Sequence, residues 1–448
     1  MLEPKDFNIL SAIQQMRKGE LTAYQLVESC LKTIHQHEST IHAWVKVYEK
    51  EALEEARRCD EESRQGKWRG DLHGIPIGVK DIYHVKGMWT RAGCEIYPAH
   101  VAESDAPVVQ RLKDAGAIVL GKTETTPFAT ADPTITCNPW NPEHTPGGSS
   151  SGSGAAVADR MCLAALGSQT TGSLLRPAAY NGLVGFKATY GRISSEGVIP
   201  VSWSLDHMGV MIRCVEDAII IWKQIGDGYD PPFGRIPVIS KGYEKRISGI
   251  PPRLGHLKEF FEKEASDAVV EHLAAVREKL AQAGAIIIDL TLPKSFSNVK
   301  EWHRLIRETE LACWHRSLFE SHRDQYPPLL RTSIESGLTV SGHQYVEALC
   351  KRIDFQKEMR ELLVHVDAAF MSTSTSTAPM GLSSTGSPVL NLPWSFCGFP
   401  AMSIPSGLDH QGLPFGLQIV APPMAEACLL KVAKWCESIL AFNYSPES

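Results

Sequence analysis

Two short segments built to one plan constrain the fold most. Residues 113–121 read KDAGAIVLG and residues 281–289 read AQAGAIIID, each a helix end, a glycine stop and an apolar run. Repetition of this unit is the rhythm of an α/β protein whose strands are buried on both faces. Ile75-Pro76-Ile77-Gly78-Val79 reads as another such strand, and it feeds directly into Lys80.

The rest of the chain supplies helices for that sheet. Residues 7–66 read as helical: Ile9, Ile13 and Met16, then Leu26, Cys30, Leu31 and Ile34, recur at three- and four-residue steps, and Thr22 suits an N-cap. The charged stretch from Glu49 to Arg64 predicts a surface helix. Further helices are expected from Ser104 as N-cap to Gly116, over 155–165, over 266–282, and as a pair within 297–337 with Trp302, Leu305, Ile306, Leu311 and Trp314 on an apolar face. Residues 226–252, dense in Pro and Gly, form the best linker candidate; a strand of one type on either side fits one continuous sheet equally well. The STSTST tract (372–377) reads as a loop at a strand end, and 401–405 and 415–420 as strands joined by a turn through Asp409 and Gly412.

Composition narrows the function classes. With 448 residues, 43% hydrophobic and 21% charged, the chain can bury a large core. A net charge of −6 gives no support to nucleic acid or an anionic membrane as the main partner. Eleven scattered cysteines, without a C-x-x-C pair or histidines at metal-ligand spacing, read as reduced thiols of a cytoplasmic protein. No apolar run reaches the roughly 18–20 residues of a membrane span, and the N-terminus lacks a basic segment followed by an apolar one.

Chemistry is expected at 145–177, where two Ser/Gly-dense turns flank a small apolar stretch. Gly148-Ser149-Ser150-Ser151-Gly152 matches the nucleophile-elbow pattern around Ser150, but that elbow needs a preceding strand, and NPWNPEHTP is too rich in proline to be one. A phosphate-cradling loop would need the Gly-Lys-Ser/Thr ending that is missing here. His73, His144 and His207 lie beside turns with no carboxylate spaced to orient them. A serine nucleophile without a histidine requires another base. A lysine made neutral by burial can serve, and Lys80, at the end of an apolar strand, is the best placed.

The runs GIPIGVKD (74–81), GKTETTPFA (121–129), NPWNPEHTPGGSSSGSGAAVA (138–158), GSQTTGSLLRPAAYNGLVGFKATYGRIS (167–194), SLDHMG (204–209) and GFPAMSIPSGLDHQGLPFGLQIV (398–420) resemble the amidase signature family of serine hydrolases over nearly the whole chain. The resemblance implies an α/β fold with a mixed central β-sheet covered by helices on both faces in one large domain. Within it, 1–66 would be N-terminal helices, 67–225 the signature core, 226–395 a variable substrate-pocket region and 396–448 the C-terminal strands and helix.

It further implies a Ser-cisSer-Lys triad of Ser173 as nucleophile, Ser149 as proton relay after a cis peptide bond, and Lys80 as base. The intervals of 69 and 24 residues are similar to those of the family. Backbone amides of Thr170, Thr171, Gly172 and Ser173 would form the oxyanion hole, and no metal or organic cofactor is implied. A small-molecule amide would be cleaved through an acyl-enzyme to an acid and ammonia or an amine, with a homodimer left open.

Two residues depart from the family's usual Asp-Thr-Gly-Gly-Ser. Gln169 removes a charge behind the oxyanion loop, and Thr171 puts a β-branched side chain where glycine is usual, narrowing the pocket and straining the loop if φ must be positive. The alternatives are a glutaminase subunit of a tRNA-dependent amidotransferase and a urea-derivative (allophanate- or biuret-like) hydrolase. Gln169 and the lack of a C-terminal extension favour a stand-alone amidase. The loop 125–137 and polar or aromatic residues of the variable region, Trp302, His303, Arg304, Arg307, His315 and Arg331, are candidates to face the substrate, each weighed against an ordinary role in a helix face or salt bridge.

Overall fold

A computed structural model describes residues 3–98, 100–226 and 251–446. The elements in chain order are α1 (Ile9–Lys18), α2 (Ala23–Ile41), β1 (Trp44–Val47), α3 (Glu49–Arg64), β2 (Pro76–Lys80), β3 (Trp89–Thr90), β4 (His100–Val101), α4 (Pro107–Asp114), β5 (Ile118–Thr123), α5 (Ser151–Ala158), β6 (Ala164–Gln169), α6 (Leu175–Tyr180), β7 (Val184–Lys187), β8 (His207–Ile212) and α7 (Val215–Ile225). They continue as β9 (Arg253–Leu257), α8 (Glu259–Glu264), α9 (Asp267–Gln282), β10 (Ile286–Leu290), α10 (Val299–His322), α11 (Pro328–Thr339), α12 (Gly342–Leu363), β11 (Ala368–Ser372), α13 (Leu392–Cys397), β12 (Ala401–Leu408), β13 (Pro414–Val420) and α14 (Glu426–Leu440).

Among the described residues, eleven strands form one sheet in the order β1-β5-β2-β6-β8-β7-β12-β13-β11-β9-β10. It is mixed: β2 runs parallel to β5 and β6, and β9 to β10 and β11, whereas β6/β8, β7/β8, β7/β12 and β12/β13 are antiparallel. Every residue of β2, β5, β6, β8, β11 and β13 is buried. Successive strand residues point to opposite faces, so both faces of the sheet are covered. Because β9 and β10 join the same sheet as β8, the chain on either side of 226–252 builds one domain. The linker itself lies outside the described residues over 227–250.

Local signals were accurate where punctuation is strong. Gly116 and Gly284 adopt φ of +96° and +101° at the two helix stops, and a Cβ on Gly116 would lie 2.5 Å from the His73 Cα. Thr22 caps α2, its hydroxyl accepting from Gln25 N at 3.0 Å. The expected surface helix α3 buries only Ala52, Ala56 and Cys59.

Four expectations need correction. Residues 155–165 are not one helix: α5 ends at Ala158, Arg160 turns at φ +58°, and Leu163 N donates to Pro76 O, committing 164–169 to the sheet. Pairing of this segment with β2 on one side and β8 on the other outweighs the helix propensity of alanine. Ser104 is not the cap of α4, which starts with Pro107 after Ala106; Asp105 instead accepts from Lys86 N and Lys113 Nζ. The run 7–66 is interrupted by β1, an edge strand antiparallel to β5. Finally, the two repeated units differ in depth: β5 is fully buried, but β10 is a partly exposed edge.

All eleven cysteines are unpaired, and no helix of the described residues is long and apolar enough to cross a membrane.

Candidate active site

Parallel pairing of β2 with β6 decides where the site forms. The register sets Ile77 opposite Ala164 and Val79 opposite Leu166, so Lys80 leaves β2 beside Gly167 and Ser168, just before the 170–173 loop. Ligand sites in α/β sheets collect at such carboxyl ends. Helix α5 packs on both strands and delivers the 147–150 turn to the same place. Thr126 N donates to Ser149 O at 3.2 Å, Gly152 N to Glu124 O at 3.0 Å, and Ser150 N to Ser173 O at 3.2 Å, so the two Ser/Gly turns are joined directly.

Lys80 is fully buried. Its Nζ lies 2.7 Å from Ser149 Oγ, 3.0 Å from Ser150 Oγ and 2.9 Å from Ser168 Oγ. No carboxylate makes an ion pair with it among the described residues. Burial without a counter-ion pushes its pKa well below the ordinary lysine value, with Asp206 a lesser opposing influence. A neutral amine donates two protons and accepts one, and here each partner is a hydroxyl able to play either part. Such an amine can take a proton from a neighbouring serine.

The Gly148–Ser149 peptide bond is cis. Arg176, buried on α6, holds this turn: its guanidinium donates to Gly148 O at 2.6 Å, Thr385 Oγ1 at 3.1 Å and Gly386 O at 2.5 Å. Ser150 is wholly buried between Lys80 and β6, with Ser168 N donating to its Oγ at 3.3 Å. No strand leads directly into it, as the prolines imply. Ser173 is half-buried at the end of the loop. The amides of Thr171, Gly172 and Ser173 donate to no acceptor among the described residues.

The departures at 169 and 171 have a physical account. Gln169 Oε1 accepts from Leu174 N at 3.1 Å and Leu175 N at 2.9 Å, while its Nε2 donates to Ser395 Oγ at 3.1 Å. The side chain thus caps the start of α6 without a charge. Thr171 does not adopt a positive φ, so its β-branched side chain carries no left-handed strain.

The histidines are engaged elsewhere. His73 Nε2 lies 3.0 Å from Cys59 O and from Ser63 Oγ, and its Nδ1 accepts from Arg69 N. His144 Nδ1 donates to Ala378 O at 2.7 Å, and His207 Nδ1 to Leu205 O at 2.7 Å, with burial depressing the pKa of His207. Folding also brings Cys59, Glu62 and His73 together, but Arg69 already occupies Glu62 at 2.7 and 2.8 Å.

Of the variable-region candidates, Arg304 and Arg307 pair with Glu301 and Glu308, an ordinary helix-face role. Trp302 stacks on Phe396, and Arg331 is half-buried on α11. His303 and His315 are buried: His303 Nε2 donates to Thr170 O at 3.0 Å, and His315 packs edge-on to Phe128 and Trp314. Trp314 also lines a cavity of about 360 Å³ with Val198, Trp203, Asp206 and Met208. Asp206, its carboxyl pushed up to about 6 by burial, accepts from the Thr170 hydroxyl at 2.5 Å.

Ser168, Arg176, Asp206 and Ser395 were not singled out from sequence. Each makes its contact with the site across 28 or more residues of sequence, beyond the reach of any local pattern.

The chain is similar over most of its length to known proteins. The glutamyl-tRNA(Gln) amidotransferase A-subunit of Prochlorococcus marinus is 33% identical over 94% of this chain and 94% of its own length, and that of Chloroflexus aurantiacus 33% over 96% of each. Among solved structures, an amidase superposes with TM-score 0.86 at 30% identity, covering 96% of this chain and 99% of its own. The peptide amidase of Stenotrophomonas maltophilia does so with TM-score 0.83 at 27% identity, covering 99% and 98%. With the Amidase family model matching residues 25–430, the chain belongs to the amidase family and is a hydrolase of carbon–nitrogen amide bonds.

Proposed function

We propose that the amide is cleaved by a serine relay in which Ser173 is the nucleophile, Ser149 the proton carrier and Lys80 the base. The observation that carries this reading is the buried Lys80 amine, without a salt-bridge partner and 2.7 Å from Ser149 Oγ. Ser173 Oγ attacks the amide carbonyl carbon while its proton passes through Ser149 to the Lys80 lone pair. The developing oxyanion accepts from the free amides of the 170–173 loop. Lys80 then returns the proton through Ser149 to the leaving nitrogen, the carbon–nitrogen bond breaks, and water hydrolyses the Ser173 ester to release an acid.

A fluorophosphonate, which phosphonylates an activated serine, tests the assignment. Wild-type protein is expected to be labelled and Ser173→Ala not; a label that persists in Ser173→Ala overturns the nucleophile.

For the substrate, the curated relatives favour a glutaminase subunit of a tRNA-dependent amidotransferase, as their similarity spans nearly both chains. A stand-alone amidase of small-molecule amides is the other reading, supported by the solved amidases. Ammonia release measured with glutamine and with a panel of aryl, aliphatic and urea-type amides separates them. Turnover of glutamine together with co-purification of further subunits supports the first; an active single chain that ignores glutamine overturns it.

A further inference from the structure

Two side chains from the C-terminal half hold carbonyls of the 170–173 loop. His303 on α10 is 2% exposed and its Nε2 lies 3.0 Å from the Thr170 carbonyl. A carbonyl only accepts, so Nε2 carries the proton. Ser395 on α13 is fully buried and donates its hydroxyl to the Thr171 carbonyl at 2.8 Å. The two come from one side: the His303 ring lies 6.4 Å from that of Phe396, the residue after Ser395.

In a trans peptide the C=O and N–H point in opposite directions. Holding Thr170 O therefore aims Thr171 N–H away from His303, and holding Thr171 O aims Gly172 N–H away from Ser395. Both amides are free of acceptors among the described residues. We infer that His303 and Ser395 are positioning residues that set two consecutive peptide planes, presenting Thr171 N–H and Gly172 N–H to the substrate carbonyl; the inference rests on the serine-relay reading.

Gln169 sets the direction of the hydrogen bonds. Its Nε2 donates to Ser395 Oγ, which leaves the single Ser395 proton for Thr171 O. A carboxylate at 169 has no proton to give and would take the one from Ser395, releasing the Thr171–Gly172 peptide. Gln169 and Ser395 thus form one arrangement. Burial holds the His303 pKa down to about 3, so its contribution is a neutral hydrogen bond.

The test is the second-order rate of fluorophosphonate labelling at Ser173, which requires no knowledge of the substrate. His303→Leu, Ser395→Ala and Gln169→Glu are expected to slow labelling by about 10- to 100-fold, the scale of a slightly misplaced catalytic group. His303→Gln, whose amide N–H replaces Nε2–H, is expected to recover to within about three-fold of wild type, and with a turned-over amide the loss falls on kcat with KM changed by less than about two-fold. Wild-type rates in His303→Leu and Ser395→Ala overturn the proposal, as does equal impairment of His303→Leu and His303→Gln, which would mark packing alone. Should His303→Leu fail to fold, Ser395→Ala and Gln169→Glu decide, and wild-type rates in both overturn it. Failure of the underlying reading is visible separately, as an unlabelled parent or a label outside Ser173.

Discussion

Lys80→Met is expected to lose activity by about 10²- to 10⁴-fold while remaining folded, because it removes the group that accepts and returns the proton in the proposed relay. Methionine matches the length and apolar stem of lysine, so the volume between β2 and α5 stays filled. Lys80→Arg should be as inactive, since a guanidinium stays charged and has no lone pair to accept a proton. In the parent protein kcat/KM should rise with pH through the depressed pKa of Lys80, as the proposed relay requires the neutral amine.

Stability carries the same signature with a definite sign. Between the lowered folded pKa and the unfolded value near 10.5, the unfolded chain binds one more proton than the folded one, so the parent gains stability as pH rises through that window. Lys80→Met lacks this gain. Urea denaturation of both proteins from about pH 7 to 10 should show the parent rising relative to the variant; parallel curves would mean that Lys80 is charged in the folded protein.

Asp81→Asn is expected to cost about 3–5 kcal/mol of stability, the usual penalty for leaving one member of a buried ion pair alone. Asp81 and Lys122 are each about 1% exposed and lie 2.9 Å apart. Lys122 Nζ also donates to Tyr83 O at 2.9 Å, Trp89 O at 3.0 Å and Thr90 Oγ1 at 3.1 Å, and Asp81 Oδ2 accepts from Arg91 N at 3.0 Å. The pair therefore fastens the segment 81–93 onto β5 immediately after Lys80. Removing both charges in Asp81→Asn with Lys122→Met should restore most of the loss, because no charge is then stranded in the core. Urea midpoints of the single and double variants measure this; additive losses would show that the two residues act independently.

Much of the fold was legible because its signals are local. The glycine stops at 116 and 284, the Thr22 cap and the apolar run before Lys80 act within a few residues of themselves. The errors fall where distant pairing overrode local preference: alanine-rich 155–165 splits at Arg160 because β6 has partners on both sides, and 44–47 leaves the helical run to pair with β5. At the site, the resemblance placed Lys80, Ser149 and the 169–173 loop, and the fold brings these segments together. It did not indicate Arg176 behind Gly148 or Asp206 against Thr170.

By itself, then, the sequence determined an α/β chain with a lysine at the end of a buried strand and two serine-rich turns downstream of it. The tertiary structure alone decided the surroundings of that lysine and which side chains hold the 170–173 loop. The Lys80 pKa is lowered because packing removes water without supplying a counter-ion, and the amine meets Ser168 from 88 residues away. The Thr170 and Thr171 carbonyls are held by side chains 133 and 224 residues distant. Solvation and hydrogen-bond direction depend on which groups converge in space, and no spacing along the chain encodes that.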